Sequence, residues 1–463
     1  MVGAKRGAAL MVALLIAATI LAATPPCSAA APAKKKKTKA PTPQRESGAR
    51  GGPSSAVFPL YGDVYPRGLF YVSINIGDPP KPYFLDVDTG SHLTWLQCDA
   101  PCVSCSPGPH PLYKPAKTKL VPCGDPLCAA LQAAATVAGG GGCGGGSAEQ
   151  CDYEIEYADH GSSLGVLVSD AFSLRLANTS LARPNLVFGC GYDQQSVSSN
   201  SPAPTDGVLG LGNGKTSLPT QLKEKGITRS VVGHCLSSNG GGFLFFGDDL
   251  VPYSHASWTP MSRSTYRKYY SPGSANLLYD ARSLGVKQME AVFDSGSSYT
   301  YFGLQPYQAL ISKLKNDLSK TPLKEATNDH TLPLCWKGAK PFKSVQDVKK
   351  YFKTLALSFV NTKKAVLEIP PENYLIINKY GNACLAILNG AEVGLKDLNV
   401  IGDISMQDLM VVYDNEKGQI GWIRADCDRL PNADDYRGFE RGFCQPQFTD
   451  MGILTDFCPA YVH

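Results

Sequence analysis

The sequence predicts a mostly β protein built from two related lobes, and three observations carry that prediction. Runs such as "YVSINI" and "DYEIEY" alternate apolar and polar residues, the period of a strand with one buried face. Gly, Pro, Asn and Asp punctuate these runs from Phe58 onward. One unit also occurs twice: "FLDVDTGSHLTWL" at 84–96 returns as "AVFDSGSSYTYF" at 291–302. Each copy is followed more than a hundred residues later by two apolar residues and a glycine, "GVLGLG" at 207–212 and "NVIGDI" at 399–404. Two copies of one unit imply two lobes related by a pseudo-twofold axis, with the repeated aspartates facing each other across it.

In chain order, residues 1–30 read as a secretory signal: Lys5 and Arg6, an apolar run from Ala8 to Ala23, then small residues through Ala30. That run falls short of the length that spans a bilayer. Residues 31–57, rich in Lys, Pro, Gly and Ser, bury nothing and read as a pro-segment or linker. Their lysines at 34–37 are expected to be a solvated tether, the second reading being a zymogen contact with acidic groups. Residues 58–250 are the expected first lobe, 251–427 the second, and 428–463 a tail carrying Cys444 and Cys458. The glycine tract at 139–146 is expected to be a surface loop. Helical spacing is clearest in "LQPYQALISKLKNDLSK" at 304–320 and "SVQDVKKYFKTLAL" at 344–357.

Composition narrows the function classes. The 463 residues are 43% hydrophobic, enough for a real core, and the formal charge of +4 provides no basic field for nucleic acid. Of fifteen cysteines only Cys27 falls in the signal, and fourteen in a chain bound for an oxidising compartment are expected to form disulfides. Zinc at Cys98, Cys102, Cys105, Cys123 and Cys128 is disfavoured, because no histidine pair joins them at ligand spacing. Asn178, in "NTS", is a sequon and a candidate for glycosylation.

The repeated aspartates carry the chemistry. If Asp88 and Asp294 meet in a cleft between lobes, they cannot both ionise cheaply and share one proton. Such a pair can deprotonate a water while its acid partner hydrogen-bonds a carbonyl, the arrangement for which aspartic proteases are the standard example. Thr89 and Ser295 add hydroxyls, Gly90 and Gly296 allow close backbone approach, and Ser91 and Ser297 can donate to the carboxylates.

Along most of the chain from Leu69 to Cys427, the sequence resembles the pepsin-type (A1) aspartic proteases, and within them the plant atypical, nucellin-like or nepenthesin-like group. The resemblance rests on "DTGS" at 88–91, Trp95, "YADHGSSLGVL" at 157–167, "DGVLGLG" at 206–212, "DSGSSYTYF" at 294–302, "VIGD" at 400–403 and "GWI" at 421–423. It implies a bilobal pepsin-like fold with β-barrel-like lobes, and an endopeptidase that needs no cofactor or metal. Asp88 and Asp294 would be the catalytic pair. Thr89 and Ser295 would exchange hydrogen bonds across the interface, and Ser91 and Ser297 would bond the catalytic carboxylates. Tyr157 would be the flap tyrosine, with Trp95 holding its hydroxyl. The cysteines from Cys98 to Cys151 resemble the group's cysteine-rich insertion.

The resemblance also implies a monomer acting on protein or peptide substrates with apolar side chains flanking the cut, in the extracellular space or the vacuole, with no membrane partner once the signal is removed. A catalytically silent binding or inhibitor protein of the same fold is the alternative. Ser295 in place of the usual Thr, Ala158 in place of a common Gly, and His160 in the flap depart from the family pattern. An effect of His160 on flap closure with pH is weighed against a loop histidine without a role.

Overall fold

The computed structural model describes residues 54–99, 102–103, 105–134, 150–158, 161–195, 204–262, 269–362, 365–430, 445–448 and 454–457. The signal, the lysine run, the glycine tract, His160, Cys444 and Cys458 lie outside the described residues.

The repeated unit folds the same way twice. In the first lobe, Lys81–Asp88 runs parallel to Gly207–Gly210, with Leu85 opposite Gly207 and Asp88 opposite Gly210. In the second, Met289–Phe293 runs parallel to Asn399–Ile401, with Ala291 opposite Asn399 and Phe293 opposite Ile401. Short strands at Trp95–Gln97 and Thr300–Phe302 then pair antiparallel with those same partners.

The echo's glycine has a steric cause in both lobes. A Cβ on Gly210 would lie 2.6 Å from the His92 carbonyl carbon, and one on Gly402 would lie 2.1 Å from the Tyr299 carbonyl oxygen. Only glycine lets the strand pass the loop that follows each repeated aspartate.

Alternation along Lys81–Asp88 sorts its side chains. Tyr83, Leu85 and Val87 enter the core, which leaves Phe84, Asp86 and Asp88 on the other face. The same buried cluster takes Ala291 and Phe293 from the second lobe, and Tyr413 and Trp422 from the chain's end. Removing Leu85 and Val87 from water contributes about 1.5–3 kcal/mol each.

The lobes share a sheet. Val231–Leu236 pairs antiparallel with Leu409–Asp414, with His234 opposite Val411. Gly242–Phe246 and Ala56–Asp63 continue it on one side, and Gln419–Arg424 and Ser257–Pro260 on the other. Ala56 and Val57, inside the segment read as linker, already belong to this sheet and face Phe246 and Phe245. A Cys235–Cys427 disulfide pins it. Further disulfides join Cys98–Cys190, Cys102–Cys105, Cys128–Cys151 and Cys335–Cys384, and Cys123 is also oxidised, so the zinc-like spacings serve cross-links.

The helix expected at 304–320 spans Leu304–Leu318 and buries Leu310, Leu314 and Leu318, one stripe at helical spacing. The second expected helix is corrected. Residues 345–351 form two short 3-10 turns, Val345–Asp347 behind a Ser344/Asp347 capping box and Lys349–Tyr351, and Leu355–Phe359 is a strand. The apolar stripe of Val345, Val348 and Phe352 ends after two turns, while "LALSF" alternates at period two and buries Leu355, Leu357 and Phe359. Among the described residues no helix is long and apolar enough to cross a membrane.

Candidate active site

Asp88 ends the strand Lys81–Asp88, and Asp294 directly follows Met289–Phe293, so each leaves its sheet where the chain turns sharply. The Asp88 carboxylate accepts from the N–H groups of Gly90 at 2.7 Å and Ser91 at 3.2 Å, and from the Ser91 hydroxyl. Asp294 accepts from the Gly296 N–H at 3.0 Å and from the Ser297 hydroxyl at 3.0 Å. The two loops are therefore built alike, as the repeated sequence demands.

The two carboxyls face each other closely enough to interact: a Cβ on Gly296 would lie 2.6 Å from Asp88 Oδ1 and 3.3 Å from Asp294 Oδ1. Asp294 likewise lies over the other loop's glycine: a Cβ on Gly90 would sit 2.5 Å from Asp294 Oδ1. Any side chain at either glycine would push the carboxyls out of place.

Behind the carboxyls the loops are interlocked. Thr89 N–H donates to Ser295 Oγ at 3.2 Å, and Ser295 N–H donates to Thr89 Oγ1 at 3.0 Å. The hydroxyls reach on into the opposite strand, Ser295 Oγ to the Val87 carbonyl at 2.7 Å and Thr89 Oγ1 to the Phe293 carbonyl at 3.4 Å. Both side chains are buried, so the four bonds are shielded from competing water. Serine at 295 supplies the hydroxyl that this interlock uses.

The predicted flap is a hairpin of Asp152–Glu156 and Ser162–Arg175, with Glu156 opposite Ser162. Tyr157 follows its first strand, is half-buried, and accepts a 2.6 Å hydrogen bond from the Trp95 indole. Asn178 is exposed, and its side-chain oxygen accepts from Ser180 N–H and Oγ, away from this cluster.

Electrostatics set the protonation. Burial first, and the Asp294 charge second, push Asp88 up to about 7, against the pull of the Ser91 hydroxyl and the Gly90 N–H. Burial also raises Asp294, opposed by Gly296 and Ser297. Two adjoining acids raised in this way titrate as a pair and share one proton between their two titration steps.

Two further carboxyls, not singled out in the sequence, belong to the same cluster. Asp86 and the fully buried Asp403 are both pushed well up, first by burial and then by the neighbouring acids. Among the described residues neither Asp403 oxygen, nor Asp86 Oδ1, has a hydrogen-bond partner. The signal for Asp86 was its position two residues before Asp88 on a strand, which puts both on one face. Asp403 had no such signal, because Leu211 occupies its place in the first copy.

Comparison with known proteins agrees with this geometry. Residues 70–248 match the family described as "Xylanase inhibitor N-terminal", and residues 278–423 match "Xylanase inhibitor C-terminal". The chain is 50% identical over 392 residues to an aspartic proteinase of Oryza sativa subsp. japonica, covering 82% of this chain and 94% of that one. It is 26% identical over 404 residues to aspartic proteinase nepenthesin-1 of Nepenthes gracilis, covering 83% of each. The crystal structure of basic 7S globulin from soybean superposes with a TM-score of 0.63 at 18% identity, over 82% of this chain and 99% of that one, a likeness of fold. With both lobes matched and half of its aligned positions shared with a rice aspartic proteinase, this chain belongs to the pepsin-like (A1) aspartic proteinase family.

Proposed function

We propose that this chain is an aspartic endopeptidase that hydrolyses peptide bonds in extended protein or peptide substrates at acidic to mildly acidic pH, with Asp88 and Asp294 as its catalytic pair. The observation that carries the reading is the facing carboxyl pair, each member braced by a glycine N–H and a serine hydroxyl.

In the proton-sharing state the ionised carboxylate takes a proton from a water held between the pair, and the protonated one donates to the carbonyl oxygen of the scissile bond. The water oxygen bonds to the carbonyl carbon, giving a tetrahedral diol. The carboxyl that took the water's proton gives it to the leaving nitrogen, the C–N bond breaks, and a diol hydroxyl passes its proton to the other carboxylate, which restores the one-proton pair. The Thr89–Ser295 interlock holds both loops still during this exchange, so little reorganisation is needed as charge develops. Tyr157, held by Trp95, covers the cleft and restricts water.

A monomer that acts outside the cell or in the vacuole, with Asn178 glycosylated, completes the reading. It is supported by the disulfides and the exposed sequon.

A catalytically silent binding or inhibitor protein is the second reading, favoured by the xylanase-inhibitor description of both matched families. Both aspartates, Thr89, Ser91, Ser295 and Ser297 favour the enzyme. The test is to express the chain without its first thirty residues, acidify it, and offer a denatured protein with and without a pepstatin-type inhibitor. Cleavage abolished by the inhibitor and by Asp294→Asn supports the peptidase; absence of cleavage at every acidic pH supports the silent relative.

A further inference from the structure

Positive charge gathers on one part of the second lobe. Residues 313–353 hold ten lysines and four acids, in a chain whose 44 basic and 40 acidic residues nearly balance. Those four acids are already engaged. Asp317 pairs with Lys313 at 2.6 Å and Glu325 with Lys315 at 3.8 Å. Asp329 accepts from Thr331 and from the side-chain amides of Asn378 and Asn382, and Asp347 accepts from the N–H groups of Lys343 and Ser344. Lys324, Lys337, Lys340, Lys343 and the neighbouring Lys379 are all exposed, and none has an ion-pair partner among the described residues.

A small sheet brings these five lysines together. Lys324–Glu325 pairs with Cys335–Lys337, so that Lys324 stands directly opposite Lys337. Like charges facing each other across a strand pair are destabilising, so folding alone gives no reason for this arrangement. The chain runs on through Lys340 to Phe342, whose N–H donates to the Gly381 carbonyl at 2.8 Å, and a Cβ on Gly381 would lie 2.5 Å from Pro341 Cβ. Lys340 and Lys343 therefore flank the turn at 378–381, which carries Lys379 and the exposed Tyr380. The base of that turn is fixed: the buried Asn378 side chain accepts from the N–H groups of Tyr380 and Asn382, and the Cys335–Cys384 disulfide staples the strands beside it.

This lysine face adjoins the cleft. The Lys379 N–H donates to the Tyr65 hydroxyl at 3.3 Å, and the turn carrying Tyr65 closes at Gly68, whose carbonyl accepts from the Ser298 hydroxyl. Ser298 follows Ser297, which bonds Asp294. The aspartate pair keeps a negative charge in its proton-sharing state, which disfavours an anionic side chain at the cut bond itself. An acidic stretch is welcome only further along an extended substrate, where the chain leaves the cleft past Tyr65 and meets the lysines.

We propose that Lys324, Lys337, Lys340, Lys343 and Lys379 form an exosite that captures an acidic segment of the protein substrate beyond the Tyr65–Ser298 end of the cleft. The inference rests on the peptidase reading and adds a substrate class to it: proteins with an acidic stretch on one side of the cut.

The test uses one cleavable core peptide extended, through a flexible Gly-Ser spacer, by a run of Glu or of Gln at its N-terminal or C-terminal end. The readout is the Glu/Gln ratio of kcat/KM for the wild-type chain and for a triple variant, Lys337→Gln, Lys340→Gln and Lys343→Gln. A ratio taken within one protein is independent of how much of it folds. For the wild type, the ratio should be about ten at one end and near one at the other, carried by KM because the exosite lies away from the reacting atoms. It should fall toward one in the triple variant and in high salt, with kcat for the unextended core unchanged. Replacing the same three lysines with Glu should bring it below one. A wild-type ratio of one at both ends, or a preference that the triple variant keeps, overturns the inference and leaves the peptidase reading intact. A ratio of one together with binding of polygalacturonate that the triple variant loses overturns it in favour of an acidic polysaccharide. If the wild type cleaves no peptide, the peptidase reading fails instead. The same extended peptides with a non-cleavable isostere of the scissile bond then decide the exosite by binding: tighter binding of the Glu form, lost in the triple variant, upholds it, and equal binding overturns it.

Discussion

His234 sits at the middle of the sheet shared by the lobes, fully buried, with Nε2 3.1 Å from the Tyr413 hydroxyl and Nδ1 without a hydrogen-bond partner among the described residues. Burial pushes this imidazole down to about 3 from an ordinary value of 6.5. The folded chain therefore keeps His234 neutral over a range in which the unfolded chain protonates it, and stability falls as pH drops from 6.5 toward 3. The slope is about 1.4 kcal/mol per pH unit, which accumulates to about 5 kcal/mol over the whole window and about 3 kcal/mol between pH 7 and pH 4.5. That is a large share of the roughly 5–15 kcal/mol that holds a typical domain together.

Replacing His234 with Gln removes the titration while keeping a polar group that can reach Tyr413. Urea unfolding of both proteins at pH 7 and pH 4.5 gives a double difference in which every other titrating group cancels. The wild type should lose about 3 kcal/mol more than His234→Gln on acidification. Equal losses in the two proteins would refute the assignment of this acid sensitivity to His234.

Gly90→Ala should lower kcat by about a hundredfold or more, because its methyl would stand 2.5 Å from Asp294 Oδ1; near-ultraviolet circular dichroism would show whether the fold survives. Peptide cleavage should decline as pH rises through about 7, where Asp88 gives up the shared proton, and Ser91→Ala should move that decline upward because the Ser91 hydroxyl holds Asp88 down. A pH profile of kcat/KM reads both. Trp95→Phe frees the Tyr157 hydroxyl and should lower kcat/KM about fivefold, with no further loss when Tyr157→Phe is added. Cys235→Ser paired with Cys427→Ser opens a link across 192 residues and should cost up to about 5 kcal/mol, measured by unfolding in urea.

Much of the candidate site was legible because the repeated unit carries its residues twice. The aspartate, hydroxyl residue, glycine and serine recur with their strands, and so does the distant apolar-Gly piece that must pass each loop. Trp95 and Tyr157 were assigned to each other by resemblance, and the 2.6 Å bond between them agrees. Two features were not legible for physical reasons. The 344–357 run has helical spacing for only two turns, and the choice went to "LALSF", which finds strand partners at Ala275–Tyr279 and Val366–Ile369 that a one-dimensional pattern does not show. The surroundings of Asp86 depend on the neighbours across its sheet, Tyr71 and Val208, which come from other segments of the chain. His234 likewise reads as an ordinary strand residue until the sheet closes over it.

The shared sheet also bears on the order in which the proposed pair is assembled. Leu409–Asp414 zips onto Val231–Leu236 only after nearly all of the chain has been synthesised, and Asn399–Ile401, which backs Asp294, is itself made late. A polypeptide that stops short of these strands lacks the sheet that backs Asp294, so the two aspartates of the proposed pair come into register only once the last strands are in place.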